Sequence, residues 1–337
     1  MEIPAAAVEE MVTASSPFWK GRSVFVTGAA GFIGSWLTKD LLARGARVTA
    51  LIDDLPRRSE LARSGDVRRI RVARGRLENL ALLRRIIRSN SIDTVFHLGA
   101  QTIVSDAYRA PFDTFESNVR GTYNLMEACR QAPSVGRIIV ASSDKAYGDQ
   151  KILPYREDTA LQGRFPYDVS KSCTDLIAQS YYHAYRLPVA ILRCGNVFGG
   201  GDLNDSRIVP GTIRALLRGE APVIRSDGKY VRDYIYVKDV SAAYLTVAER
   251  LVAGKLQGEA FNFGNDKPWS VLAMVALLRK ALKREDLRPE ILNVAKAEIR
   301  EQYLASGKAR KMLKWRPRYS MSTAVAETVA WYRDAES

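Results

Sequence analysis

Val24-Phe25-Val26-Thr27-Gly28-Ala29-Ala30-Gly31-Phe32-Ile33-Gly34 is the stretch whose reading decides the fold of this chain. The β-branched and aromatic run predicts a short strand. The glycines predict a tight turn, and Leu37, Leu41 and Leu42 continue at helical spacing. Each glycine has its own reason: one allows the turn, one lets the backbone approach a pyrophosphate, and one lets the helix pack closely on the strand. Phosphate then meets the positive end of that helix. Asp53, with Asp54 beside it, stands nineteen residues beyond Gly34, where a carboxylate accepts hydrogen bonds from an adenosine ribose. A carboxylate repels a 2′-phosphate, so NAD is expected over NADP. Arg57 and Arg58 follow closely and are able to reverse that preference.

Working outward, Val48 to Ile52, Ile70 to Ala73, Thr94 to Leu98, Ile138 to Ala141 and Val189 to Leu192 read as further strands. Leu80 to Ile87 and Phe112 to Arg130 are the amphipathic segments between them. Strands alternating with helices imply a parallel sheet covered on both faces. Beyond Asn196 the pattern changes, with a loop at Gly199-Gly200-Gly201-Asp202 and shorter elements after it. The expected fold is α/β: a doubly wound Rossmann-type parallel sheet with a smaller mixed α/β C-terminal substrate lobe. Residues 1–195 form the dinucleotide-binding domain, with later segments crossing back, and 196–337 the lobe.

Composition narrows the class. At 337 residues, 47% apolar and 26% charged, the chain has the makings of a large globular core. Glu2, Glu9 and Glu10 stand where a secretory leader would need a basic and then an apolar stretch, and no apolar run reaches bilayer length. A cytoplasmic protein is expected. Cys129, Cys173 and Cys194 are too few and too scattered for a disulfide framework or zinc site, and His97 and His183 are too far apart for a metal pair. His97 ends a predicted strand and reads as a satisfied structural residue. The net charge of +14 raises nucleic acid as a partner. Between Arg57 and Arg88, however, 11 arginines against three acids are interleaved with Leu61, Ile70, Leu77, Leu83 and Ile86, the spacing of a solvated outer face. Neither nucleic acid nor membrane is expected as a partner.

Ser142-Ser143-Asp144-Lys145 closes a predicted strand, and Tyr167-Asp168-Val169-Ser170-Lys171 follows. Positions four apart share a helix face, so Tyr167 and Lys171 point into one site, where the ammonium would favour a phenolate. A phenolate takes a proton from a sugar hydroxyl, the step that accompanies transfer of hydride to a nicotinamide. Ser143 is placed to hydrogen-bond the same hydroxyl.

These motifs resemble the extended short-chain dehydrogenase/reductases that act on nucleotide sugars, the epimerase/dehydratase family. The likeness runs from Phe18-Trp19-Lys20-Gly21 to Leu313-Lys314-Trp315-Arg316-Pro317, through His97-Leu98-Gly99-Ala100-Gln101 and Gly195-Asn196-Val197. It is nearest to the branch that dehydrates CDP-glucose. The resemblance implies cofactor contacts from Gly28, Gly31, Phe32, Ile33, Gly34, Asp53, Asp54, Leu77, Ala100, Gln101, Tyr167 and Lys171. It implies catalytic roles for Ser143, Asp144, Lys145, Tyr167 and Lys171, and places Asn196 and Arg232 at the substrate's sugar or diphosphate. A homodimer is implied in the same way, while Tyr181, Tyr182 and Tyr185 read as packing or subunit contact. The chain departs from the family at Arg74-Gly75-Arg76-Leu77, where relatives place an aspartate against the adenine, and at Gln302-Tyr303-Leu304-Ala305, which lacks a usual aspartate.

In that family an acid after the strand-end serine goes with 4,6-dehydration. Asp144 therefore implies transient C4 oxidation, loss of water across C5 and C6, and hydride return to C6, yielding a 4-keto-6-deoxy sugar nucleotide. Asp144 would protonate the departing 6-hydroxyl; which group takes the C5 proton is open, since Lys145 is a base only when neutral. The rivals are a 4-epimerase using the same Tyr167 and Lys171 with NAD, and a non-catalytic dinucleotide-binding protein.

Overall fold

The computed structural model describes residues 17–294 and 298–336, so Glu2, Glu9 and Glu10 lie outside the described residues. Strand β1 (Ser23–Thr27) leads through the glycine turn into helix α1 (Phe32–Ala43), followed by β2 (Arg47–Ile52) and β3 (Arg71–Arg74). Helix α2 (Leu80–Ser89), β4 (Thr94–His97), α3 (Gly121–Arg130), β5 (Arg137–Ala141), α4 (Pro166–Tyr185) and β6 (Val189–Cys194) complete the strand–helix series. A later strand, Ala260–Phe263, pairs with β6. The seven lie in the order Ala260–Phe263, β6, β5, β4, β1, β2, β3, every neighbour parallel.

Side chains alternate across a strand, and here each alternation finds its own core. Val24 and Val26 of β1 and Ala190 and Leu192 of β6 pack on one face with Leu37, Leu41 and Tyr244. Phe25, Ile138, Val140 and Ile191 pack on the other with Leu83, Ile86 and Leu125. β1 is buried along its whole length, which is why it reads as an unbroken apolar run. β3 is the outer edge, with Arg71, Val72 and Arg74 exposed. In the arginine-rich stretch Leu61, Leu83, Ile86 and Ile87 are buried while Arg68, Arg69, Arg85 and Arg88 face water.

The chain runs from β1 outward to β3 and then crosses back to β4 on the opposite side of β1. Strand order thus reverses beside β1, and a crevice opens there at the carboxyl ends of the strands. His97, at the end of β4, ties this point together: Nδ1 lies 2.8 Å from Thr27 Oγ1 and Nε2 lies 3.1 Å from Thr122 Oγ1 on α3. Burial, with the Lys171 charge adding to it, pushes its imidazole down to about 3, so the ring is a neutral strut.

Past β6 the elements are short: β7 (Asn196–Phe198) pairs in parallel with β8 (Tyr234–Tyr236), and helix α5 (Ile208–Leu217) packs with Val271–Leu282 over a third apolar cluster. Among the described residues no helix is long and apolar enough to cross a membrane, and no His, Cys, Asp and Glu group could hold a metal ion.

Candidate active site

The glycine turn leaves no room for side chains. Gly28 has φ +74°, and a Cβ there would lie 2.7 Å from Gly99 N; one at Gly34 would lie 2.0 Å from the Gly28 carbonyl oxygen. The amide of Gly31 donates to that oxygen at 3.0 Å, and no side chain caps the first turn of α1. Its amides and dipole therefore face an open cradle, suited to a pyrophosphate.

Gly28, Gly31, Phe32, Ile33, Gly34 and Ala100 line one end of a cavity of about 960 Å³, whose other wall holds Ser143, Asp144, Lys145, Tyr167, Lys171, Asn196 and Arg232. Four other residues named from the sequence lie outside that wall. Asp53 and Asp54 stand exposed at the tip of β2. Leu77 is buried behind Gly99. Gln101 is held by Asn118, whose Oδ1 accepts from its amide at 2.7 Å and whose Nδ2 donates to its carbonyl at 2.9 Å.

Pro166 starts α4, and its preset φ suits the first helical position. The Ser170 hydroxyl donates to the Tyr167 carbonyl at 2.7 Å and accepts from Asn118 at 2.9 Å, which fixes this first turn. Lys171 lines the same cavity as Tyr167. Its Nζ donates to the Ala141 carbonyl at 2.9 Å, and burial pulls the ammonium down to about 8. The phenol of Tyr167 is pushed up to about 12 by burial; Arg207 is the principal charge pulling it back, with help from a hydrogen bond to Ser143.

Arg207 was not singled out by any motif. It ends the glycine-rich loop, and its Nη1 is held 3.0 Å from Asp202 Oδ2. Together with Asn196, Arg225, Arg232 and Glu298 it borders both the large cavity and a neighbouring one of about 410 Å³. Arg232 Nη1 donates to the Val231 and Arg300 carbonyls at 2.9 and 3.1 Å, and Nη2 lies 3.6 Å from Glu298.

Asp144 is the most unusual group in the cavity. It is buried; Oδ1 accepts from Ser143 at 3.0 Å, and Oδ2 has no partner. Burial raises its pKa, against the pull of Lys145. Lys145 is driven the opposite way, lowered by burial and then by the Arg232 charge. Asp168, buried in the same wall, is pushed up to about 6 by burial. A buried acid whose pKa is raised beside a buried amine whose pKa is lowered is a pair suited to general acid–base chemistry.

The matching family description is the NAD dependent epimerase/dehydratase family, over residues 24–264. The chain belongs to that family. The family is thus that of nucleotide-sugar dehydratases and epimerases, and its cofactor is NAD, which the side-chain-free cradle at Gly28, Gly31 and Gly34 fits. Among family relatives, the CDP-glucose 4,6-dehydratase of Salmonella typhimurium is 30% identical, over 94% of this chain and 92% of that protein. The structure of a dTDP-glucose 4,6-dehydratase from Streptomyces venezuelae, with NAD bound, superposes with a TM-score of 0.84 at 28% identity, covering 93% of this chain and 97% of that one. A UDP-glucose 4-epimerase from Thermotoga maritima does so at 0.85 and 28%, covering 94% and 100%.

Proposed function

We propose that this family member is a nucleotide-sugar 4,6-dehydratase acting on a CDP-glucose-like hexose. The observation that carries the reading is Asp144: a buried carboxyl with an unpartnered oxygen, its pKa raised by burial, inside the cavity that contains Tyr167. A 4-epimerase must oxidise and reduce C4, and has no use for an acid that donates to a leaving hydroxyl.

Gly28, Gly31, Phe32, Ile33, Gly34 and Ala100, with the more distant Asp53, Asp54, Leu77 and Gln101, would hold NAD, which would supply the hydride chemistry at C4 and C6. Tyr167 takes the 4-hydroxyl proton, with Ser143 bonded to the same oxygen and Arg207 favouring the phenolate. Lys171, bonded to the Ala141 carbonyl, would hold the nicotinamide ribose. The C4 ketone acidifies the C5 hydrogen, which Lys145 removes in its neutral form. Asp144 protonates the departing 6-hydroxyl, so one water leaves, and the proton held by Lys145 returns to C5 as hydride reaches C6. Arg232 and Asn196 hold the diphosphate between the two cavities.

We read residues 1–195 as the cofactor domain and 196–337 as the substrate lobe. The protein is read as cytoplasmic and as a homodimer, the latter supported by exposed Phe112, Tyr123 and Leu176. Incubation with CDP-, dTDP-, UDP- and GDP-hexoses, followed by mass spectrometry, tests the activity. A product lighter by one water supports dehydration. Isomers alone, at unchanged mass, make the protein a 4-epimerase instead, a reading that the Thermotoga maritima likeness keeps in view.

A further inference from the structure

Asp168 stands next to Tyr167 on α4 and is buried, 4% exposed, in the wall of the large cavity with Asp144 and Lys145. It is the acid of the helix's first turn. That turn is fastened to the short 3-10 helix Asp144–Tyr147, because the Ser172 hydroxyl lies 2.8 Å from the Ala146 carbonyl oxygen and 3.1 Å from that of Asp168. The loop before α4 closes over the joint. The Gln162 amide donates to the Ala146 carbonyl at 3.1 Å, and a Cβ on Gly163 would lie 2.5 Å from the Asp168 carbonyl oxygen. Asp168 and Lys145 are therefore carried on two turns bonded to one another.

The charges around the pair give Asp168 a task. Lys145 is the cation acting on Asp168, and Asp144 is the like charge. Lys145 in turn faces Arg232, which opposes its ammonium, and Asp144, Asp168 and Glu298, which favour it. In the elimination Lys145 takes the C5 proton and becomes a buried ammonium beside Arg232, a costly state without a counter-charge. Asp144 enters that step with its proton on, as the group that gives it to the 6-hydroxyl, and so carries no charge to offset the new cation. Glu298 lies 3.6 Å from Arg232 Nη2. Asp168, lifted by burial to about 6, is a carboxylate at neutral pH.

We propose that Asp168 is a positioning residue for the C5 base: its carboxylate holds the Lys145 side chain toward the sugar and stabilises the ammonium formed when Lys145 takes the C5 proton. The C5–H electron pair becomes the enolate of the C4 ketone. The C6–O bond then breaks as Asp144 gives its proton to that oxygen, and water leaves. The inference rests on the dehydratase reading of the site. Removing the carboxylate takes away one of the charges that raise the Lys145 pKa. Lys145 then stays neutral to lower pH, but it is a weaker base and holds its proton less well.

Native, Asp168→Asn and Asp168→Ser proteins are given the nucleotide hexose that the native protein dehydrates, with hydrogen or deuterium at C5, across a pH series. Circular dichroism checks each fold, and the second substitution serves if the first does not fold. Each variant is expected to lose about 10- to 100-fold in kcat with KM within about threefold, and to show a larger C5 deuterium effect. The acidic limb of kcat for the deuterated sugar should move down by roughly half a pH unit or more. An unchanged kcat overturns the proposal, as does a slower variant whose limb and isotope effect stay at the native values, the mark of a merely structural residue. Native protein that yields only isomers is a different result: it overturns the dehydratase reading itself and with it the step that Asp168 serves.

Discussion

Arg193 grips both oxygens of Asp175, Nε to Oδ2 at 2.8 Å and Nη2 to Oδ1 at 2.9 Å, with both side chains shut away from solvent. The same guanidinium donates to the Tyr147 hydroxyl at 2.8 Å and the Glu157 carbonyl at 3.0 Å. β6, α4 and the segment after β5 are thereby joined at one point. Removing the acid strands a buried charge, so Asp175→Ala is expected to destabilise the fold by about 3–5 kcal/mol. Urea denaturation measures it, and a loss below about 1 kcal/mol would mean that packing alone holds α4 in place.

Asp144→Asn keeps the shape of the acid and removes its proton. If it is the acid of the elimination, dehydration should fall about 10²- to 10⁴-fold with little change in KM. The check is the rate at which the lighter product forms, with circular dichroism confirming the fold. A variant that dehydrates at the native rate would remove the basis for preferring dehydratase to epimerase.

Arg207 is the main charge favouring the Tyr167 phenolate. A base works deprotonated, so losing this cation raises the pH at which Tyr167 becomes active. Arg207→Ala is expected to shift the acidic limb of kcat/KM upward by roughly one pH unit. Lys171→Met, by contrast, removes an ammonium that donates to the Ala141 carbonyl and is not among the main charges acting on Tyr167. It should move that limb less and raise the KM for cofactor more.

Asp233 is fully buried, accepts amide hydrogen bonds from Asn265 and Leu304, and is pushed by burial from 3.8 up to about 7. Below 3.8 both folded and unfolded chains hold the proton. Between the two values only the folded chain does, and above about 7 the cost of a buried charge is complete. This group's contribution therefore falls as pH rises toward 7. Asp239 is likewise raised to about 7. These two groups should pull the Tm down as pH rises from about 4 to about 7, and Asp233→Asn should make that slope shallower. An unchanged slope in a thermal denaturation series would locate the titration elsewhere.

The fold was readable where local pattern and tertiary environment agree. β1, the glycine turn and α1 are continuous in sequence, and buried β1, β5 and β6 need apolar residues on both faces. Phe112 to Arg130 reads as one helix, yet it is Pro111–Phe115, a π-helical segment Glu116–Arg120, and then Gly121–Arg130. The side chain of Asn118 in that wider turn faces Gln101 and Ser170, contacts that no periodicity encodes. Asp144, Tyr167 and Lys171 were visible because they lie in short motifs. Arg207 was not, because the substrate side of the cavity is assembled from separated loops, and only Asp202 five positions earlier hints that its guanidinium is held. The spacing of Tyr167 and Lys171 was legible, but the Ala141 carbonyl that captures the ammonium was not.

β3 ends the sheet with Arg71 and Arg74 turned outward. An open strand with unpaired amides and carbonyls is a template on which another molecule's strand can add. Two such borders, each studded with guanidinium groups, push one another apart before backbone bonds form. The molecule thereby carries its own guard against growing into fibres, one that weakens as ionic strength rises.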